Sequence, residues 1–134
     1  GKVHDHPEAD LYTMASNNRL EDFYSLTETG DARLRAIELA IRANHPVVFG
    51  TPVASEFQAY RGGSKVFTKP SSWVGRHAMI VTGVRRDGGE LQFYWRNSWG
   101  PYWGHNGHAW VDSEYMAWSE TEDLWVGTKC SPLT

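Results

Sequence analysis

Apolar residues recur at helical spacing in one stretch of the chain, residues 31–44. Leu34, Ile37 and Ile41 lie three and four positions apart, which places their side chains on one face of an α-helix. Pro46 follows shortly afterwards, and proline disfavours helical backbone at the residue before it. The pattern therefore predicts one main helix that ends before this proline.

Short apolar or alternating segments, bounded by glycine, proline and serine, predict strands in much of the remaining chain. These segments are residues 22–26, 47–51, 65–67, 75–84, 91–100, 108–111 and 124–127, with a short irregular or helical segment at 56–60. We therefore expect an α+β fold, in which an antiparallel, barrel-like sheet is covered by one main helix. Residues 1–134 are most simply a single domain, with residues 1–20 as a loose arm.

Two of the predicted strands form a hairpin that brings a histidine towards an asparagine. His77 opens the first strand, Asn97 closes the second, and residues 85–90 form the turn between them. If the turn is centred on Asp87, His77 lies directly opposite Asn97, and opposed residues share a face with Cβ atoms roughly 4.5–5.5 Å apart. A β-bulge would alter this register. The hairpin thus predicts a polar contact at the open end of two mostly apolar strands.

Composition and charge argue against several classes of function. The 134 residues carry a formal net charge of -3, which gives no basis for binding nucleic acid or an anionic membrane. No apolar run approaches the roughly 18–20 residues that cross a bilayer. Residues 1–10 are polar and predict no signal peptide. Cys130 is the one cysteine, so the fold does not depend on an internal disulfide.

The segment after Asn97 strengthens a catalytic interpretation of the His–Asn pair. Residues 98–107 contain Trp99, Trp103 and three glycines. Glycine permits tight turns at positive φ, and tryptophan can shield a buried hydrogen bond from water. A histidine held by an asparagine is two thirds of a Cys-His-Asn catalytic group, whereas a lone strand-end histidine is more often a surface or core residue.

These residues resemble the papain family of cysteine proteases. Residues 97–107, Asn-Ser-Trp-Gly-Pro-Tyr-Trp-Gly-His-Asn-Gly, resemble the family's asparagine loop, and His77-Ala78 with its apolar strand resembles the family's histidine strand. Upstream, residues 46–48 and 57–63 resemble the strand and turn that precede the histidine. The resemblance implies that residues 22–127 fold as the C-terminal, β-rich half of the family's two-part structure.

The resemblance also implies nucleophilic acyl transfer at a peptide carbonyl. In the family a cysteine thiolate attacks, and an adjacent imidazolium protonates the leaving amine. The resemblance assigns that imidazole to His77, its orienting partner to Asn97, and the cover of their hydrogen bond to Trp99. Substrate-binding positions match Gly50, Ala78, Trp103 and Arg76.

Two arginines carry specific expectations. Arg76 departs from the small or acidic residue that often precedes the histidine in the family. It would bias the cleft towards acidic substrates or raise its positive potential. Arg33 lies at the edge of the apolar helix face, where its stem would follow the core while its charge reaches water.

The nucleophile is the missing part of the implied triad. In the family it lies on a helix upstream of the histidine, whereas Cys130 follows Asn97 in a Lys-Cys-Ser-Pro tail. We expect Cys130 to be a free thiol and the nucleophile to lie on an upstream segment or a separate chain. The family's usual disulfides in this half are also missing. Their absence favours a reducing, cytoplasmic compartment or a bacterial or viral relative.

Two hypotheses follow. In the first, the chain is the His/Asn half of a cysteine peptidase, and it is inactive until a Cys-bearing half joins it. In the second, it is a non-catalytic descendant that binds a protein or peptide on the same cleft wall. The partner is a Cys-bearing half under the first hypothesis and another protein or peptide chain under the second, and self-association with a second copy is a further alternative. Neither hypothesis requires a cofactor.

Two clusters have the composition of metal sites. His4-Asp5-His6 lies near Glu8 and Asp10, and His105 lies three residues before His108. Neither cluster has the ligand spacing of a zinc site. We therefore predict no metal site and interpret the clusters as part of a polar arm and a surface turn.

Overall fold

The structure is a computed structural model that describes residues 20–129. The strands in this range are β1 Leu20–Ser25, β2 Val47–Val53, β3 Val66–Phe67, β4 Gly75–Asp87, β5 Glu90–Arg96, β6 His108–Asp112 and β7 Glu122–Lys129. The helices are α1 Gly30–Arg42, α2 Ser55–Gln58 and α3 Ser113–Ala117. The predicted arm, the cluster around His4-Asp5-His6, and Cys130 lie outside the described residues.

A single mixed sheet organises the described part of the chain, with the strands in the order β1-β7-β2-β4-β5-β6-β3. Neighbouring strands run antiparallel except β3 and β6, which are parallel. The predicted α+β class and the largely antiparallel sheet are confirmed. The sheet is open rather than closed into a barrel, since β1 and β3 lie at its two ends. None of the helices within residues 20–129 is long and apolar enough to cross a bilayer.

The main hydrophobic core lies between one face of the sheet and helices α1, α2 and α3. Alternation along the strands sends Val47 and Phe49 into this core and Val48 into a smaller cluster on the other face. Phe49 meets Trp95 in the main core, with ring centroids 4.6 Å apart. Helix α3 was not predicted, because its five residues are too few to display a periodic pattern.

The hairpin turn lies further along the chain than predicted. Asp87 pairs with Glu90, so the turn is the two-residue Gly88-Gly89. Both glycines have positive φ, at 59° and 87°, a conformation that side chains with a Cβ adopt reluctantly. The prediction of a turn centred on Asp87 was therefore wrong.

A β-bulge in β4 then changes the register a second time. Val81 pairs with Trp95, whereas Gly83 pairs with Tyr94, so Thr82 is an extra residue on the β4 side. The predicted direct opposition of His77 and Asn97 was wrong, because the observed pairing of Ile80 with Arg96, continued by one residue, places Met79 opposite Asn97.

Arg33 also differs from its prediction. Its side chain is buried, with 7% of the residue exposed, rather than reaching water. Burial lowers the pKa of its guanidinium, and the negative charge of Glu122 opposes that effect. The helical spacing located Arg33 at the edge of the apolar face, but it could not show that residues 116–121 pack against this side chain.

Candidate active site

His77 and Asn97 come together at the end of the hairpin. The Nε2 atom of His77 lies 2.7 Å from Oδ1 of Asn97. His77 is fixed by β4, in which it pairs with Thr51 of β2. Asn97 is the first residue after β5, and its backbone N–H donates to the carbonyl of Gly107 at 2.8 Å. The sheet therefore supplies the histidine and the following loop supplies the asparagine.

The hydrogen bonds define the proton position on the imidazole. The backbone N–H of Ser98 donates to Oδ1 of Asn97 at 2.6 Å, which identifies that atom as an acceptor. His77 must then donate its Nε2 proton to the same oxygen. Nδ1 is the basic nitrogen of the neutral ring, and no hydrogen bond from residues 20–129 engages it. The arrangement can accept and return a proton at Nδ1.

Trp99 covers the imidazole. Its ring stacks on His77 with centroids 4.4 Å apart and planes 30° apart. Trp99 is 39% exposed, so it separates the His–Asn bond from solvent while its own outer surface remains accessible. This contact restricts water near the bond that orients the imidazole.

Trp103 lies behind Trp99 and is 4% exposed. Its indole N–H donates to the carbonyl of Phe57 at 2.8 Å, and its ring lies 5.5 Å from that of Trp99. Most of the Trp103 ring is therefore buried in the protein core, where it packs against the ring of Trp99. Sequence reasoning did not single out Phe57, although it belongs to the segment 57–63 noted for its resemblance.

Glycines shape the loop that carries Asn97. Gly104 has φ of 59°, and its N–H donates to the carbonyl of Tyr60 at 2.8 Å. A Cβ at this position would collide with the carbonyl oxygen of His108. The loop can therefore close against β6 only with glycine at this position.

A cavity of about 310 Å³ lies beside Asn97, lined by Ile80, Arg96, Asn97, Ser98, Gly100, Pro101, Asn106 and Gly107. Asn97 is itself 4% exposed. Its Nδ2 group is buried and finds no hydrogen-bond acceptor among the described residues. The Oδ1 atom thus accepts two hydrogen bonds, from Ser98 and His77. The Nδ2 hydrogens donate to no group among residues 20–129.

Gly50 and Ala78 form a small-residue pair beside His77. They lie opposite each other across β2 and β4, and both are partly buried. A Cβ at Gly50 would have as its nearest neighbours the carbonyl oxygens of Glu122 and His77, each at 4.0 Å. The sheet surface therefore has space at this point.

Arg76 is held by two glutamates that the sequence reasoning missed. Its guanidinium lies 3.2 Å from Glu120 and 3.1 Å from Glu122. It also donates to the backbone carbonyl of Glu120 at 2.6 Å. No local sequence pattern could have found this contact, because it joins β4 to the region where β7 begins.

The histidine pair at residues 105 and 108 belongs to an aromatic cluster. Nδ1 of His105 lies 3.0 Å from the Tyr94 hydroxyl, and Nδ1 of His108 donates to the carbonyl of Asn106 at 2.9 Å. His108 stacks on Tyr94 with centroids 4.4 Å apart. Burial lowers the pKa of His108. Within residues 20–129, no three His, Cys, Asp or Glu residues are grouped as a metal site would require.

Comparison with known families gives the family of this chain. The family model "Papain family cysteine protease" matches residues 5–125. The chain belongs to the papain family. The papain-family relatives include the uncharacterized peptidase C1-like protein L477 of Acanthamoeba polyphaga mimivirus, 29% identical over 73% of this chain and 32% of its own length. Cysteine proteinase 3 of Dictyostelium discoideum is 30% identical over 81% of this chain and 30% of its own length. The chain therefore spans about a third of these relatives.

Solved papain-family structures share the fold. The bromelain protease of Ananas comosus superposes with a TM-score of 0.60 and 21% identity, over 83% of this chain and 51% of that one. Digestive procathepsin L 3 of Tenebrio molitor also gives 0.60 and 21%, over 81% of this chain and 35% of that one. At these identities the likeness concerns the fold alone.

Proposed function

We propose that this chain is the C-terminal, acid–base half of a papain-family cysteine peptidase. The observation that carries the proposal is the 2.7 Å bond between His77 Nε2 and Asn97 Oδ1, which leaves Nδ1 of His77 as the basic nitrogen. The nucleophilic cysteine would lie on a separate segment or chain. The matched lengths support this view, since the chain spans 51% of the bromelain chain and 30% of the Dictyostelium relative.

In the proposed reaction, Nδ1 of His77 takes the proton of the cysteine thiol supplied by the other half. The thiolate attacks the peptide carbonyl, and the imidazolium returns the Nδ1 proton to the leaving amine. Water then attacks the thioester carbonyl while His77 accepts a proton from that water. The acyl–sulfur bond breaks, the peptide fragment leaves as a carboxylic acid, and the released thiolate regains a proton from the imidazolium. Asn97 holds the ring throughout through Nε2, and Trp99 keeps water from competing for that hydrogen bond.

The proposed substrate wall consists of Gly50, Ala78, Arg76 and Trp99, with Trp103 acting through Trp99. The space at Gly50 would accept a side chain of the peptide. Arg76 is expected to shape this wall rather than to attract acidic substrates, because Glu120 and Glu122 already pair with its charge.

Reconstitution tests the proposal. The first step is to read the sequence encoded upstream of Gly1 for a glutamine followed shortly by Cys-Gly-x-Cys-Trp or a similar motif. The segment that carries it is then expressed and mixed with this chain. We expect thiol-dependent peptide cleavage by the mixture alone, lost on His77→Ala in this chain. Robust thiol-dependent cleavage by the purified chain without a partner would contradict the missing-half proposal, as would a mixture whose activity survives His77→Ala.

A second candidate function is binding of a protein or peptide without catalysis. It is favoured by one observation, that the 134 residues contain one cysteine and that this cysteine follows Asn97. This candidate predicts that His77→Ala leaves partner binding intact and that no added segment restores cleavage.

A further inference from the structure

A buried polar network runs from helix α1 to the strand pair that carries His77. Its members are the side chains of Arg33, Thr51 and Thr121, which are 7%, 0% and 0% exposed, and the backbone carbonyl of Tyr115, a residue that is 1% exposed. Buried polar groups of this kind require hydrogen-bond partners, and their positions are therefore tightly constrained. The proposed peptidase mechanism uses none of the four.

Arg33 forms one end of the network. Its Nη1 group donates to the carbonyls of Met116, Trp118 and Thr121 at 3.2, 3.1 and 2.8 Å, and its Nε donates to the carbonyl of Glu28 at 3.2 Å. Among the described residues, no carboxylate forms a salt bridge with this guanidinium. A buried charge without its acceptors is costly, so Arg33 holds residues 116–121 by their carbonyl oxygens.

Thr121 connects the segment held by Arg33 to Thr51 in β2. Its hydroxyl donates to the carbonyl of Tyr115 at 2.8 Å, and its oxygen lies 2.7 Å from the hydroxyl oxygen of Thr51. A hydroxyl has one proton, so Thr51 must donate to Thr121. Thr51 pairs with His77 across β2 and β4, and directly opposed residues share a face. The network therefore ends at the strand partner of the candidate catalytic histidine.

The same segment also reaches the residue before His77. Glu120 and Glu122, on either side of Thr121, pair with Arg76 at 3.2 and 3.1 Å. The three consecutive residues 120–122 thus contact both the strand partner of His77 and its chain neighbour. A shift of this segment would disturb β4 at two adjacent points.

We propose that Arg33 is a positioning residue for the His77–Asn97 pair. It fixes residues 116–121, and residues 120–122 in turn contact Thr51, the strand partner of His77, and Arg76, the residue before His77. The proposal makes Arg33 relevant to the candidate site, although it lies on a helix and contacts neither His77 nor Asn97. Its relevance to peptide cleavage rests on the proposed function, but the geometric relationship does not.

The test is nuclear magnetic resonance of the purified full chain, following exchange of the His77 Nε2 proton with water. Arg33→Met is expected to speed this exchange about tenfold, because the hydrogen bond between His77 Nε2 and Asn97 Oδ1 is formed for a smaller fraction of the time. Arg33→Lys, which keeps the charge and loses the planar fork, is expected to give a smaller increase. The measurement needs no peptidase activity. The positioning role of Arg33 can therefore be contradicted while reconstitution succeeds, or supported while reconstitution fails.

Two controls separate positioning from general loss of stability. Arg35→Met removes an exposed arginine from the same helix and should leave exchange unchanged. Ile37→Val removes one methyl group from the core face of α1 and lowers stability, but it leaves Arg33 and its carbonyl acceptors in place. Its exchange should therefore stay at the level of the unsubstituted chain under native conditions. If Ile37→Val accelerates exchange as much as Arg33→Met does, the proposal is overturned.

Thr51→Val keeps the test decisive if Arg33→Met does not fold. This change preserves side-chain shape and removes the hydroxyl that donates to Thr121. We expect faster exchange of the His77 Nε2 proton in a folded protein. Unchanged exchange in Thr51→Val, or in a folded Arg33→Met, would overturn the proposal.

Discussion

Asn97 Oδ1 accepts a hydrogen bond from His77 Nε2 at 2.7 Å although the strand register does not place the two residues opposite each other. Beyond the bulge, Val81 pairs with Trp95, and continuing this register places Met79 opposite Asn97. His77 is therefore a diagonal neighbour of Asn97 on the same face, and such neighbours lie within reach of longer side chains.

The bulge at Thr82 is what places His77 on that face. If the register between Gly83 and Tyr94 continued without the extra residue, Asn97 would lie opposite Ile80, and His77 would point to the other face. One inserted residue thus decides whether the imidazole can meet the amide. The bulge has a direct consequence for the candidate chemistry.

Replacement of Asn97 by alanine should release the His77 ring. The neutral imidazole would lose the acceptor that favours the proton on Nε2, and both tautomers should become populated. Nitrogen chemical shifts of the His77 ring measure this directly at a pH where the ring is neutral. Ser98→Ala, which keeps the backbone N–H that binds Asn97, serves as the control. A ring that keeps its Nε2–H tautomer in Asn97→Ala would show that another group sets the proton position.

Loss of the Trp99 indole should expose the His–Asn bond to water. Trp99→Ala is expected to accelerate exchange of the His77 Nε2 proton, whereas Trp99→Phe, which can still stack, should accelerate it less. Global stability should fall less in Trp99→Ala than it would on truncation of a fully buried tryptophan, because 39% of the residue is exposed. Exchange rates and urea unfolding of both variants check these two statements. Equal exchange in the alanine and phenylalanine variants would argue against shielding by the ring.

Gly104→Ala should destabilise the loop that carries Asn97. The new Cβ would collide with the carbonyl of His108, and the residue has a positive φ. We expect a loss of about 1–3 kcal/mol in the free energy of unfolding, measured by urea denaturation. Gly75→Ala is the matched control, since a Cβ there meets nothing within 4 Å. Similar losses in the two variants would remove the steric explanation.

The pH dependence of stability should contain a contribution from His108. Burial lowers its pKa in the folded state from the ordinary 6.5, so the unfolded chain binds the proton more tightly. The free energy of unfolding therefore rises with pH through the range just below 6.5. The stability contributed by the neutral ring is lost as the pH falls.

His108→Phe, which can keep the stack on Tyr94, should flatten that part of the stability profile. The groups that also act on His108 are Arg96, His105 and the carbonyl of Asn106, and all of them remain in the variant. Thermal unfolding from pH 5 to 8 provides the measurement, with His45→Gln as the control. A variant whose profile is as steep as that of the unsubstituted chain would exclude His108 as the source.

Local patterns in the sequence located most of the elements. The spacing of Leu34, Ile37 and Ile41 gave the helix, because a helix buries one stripe of side chains. The glycines and tryptophans after Asn97 indicated the family through their fixed spacing, and the family match over residues 5–125 confirms that membership. These features depend on near neighbours along the chain, which a sequence displays directly.

The tertiary structure decided what depends on distant segments or on register. The positions of the hairpin turn and the Thr82 bulge set which face His77 occupies, and a shift of one residue reverses that face. The burial of Arg33 depends on carbonyls more than 80 positions away, as its contacts with Met116, Trp118 and Thr121 show. The pairing of Arg76 with Glu120 and Glu122 is likewise a long-range contact. The sequence by itself determined the residue types of the candidate site. Packing between separate elements determined their orientation, because hydrogen bonds and ion pairs form between side chains that the fold brings within reach.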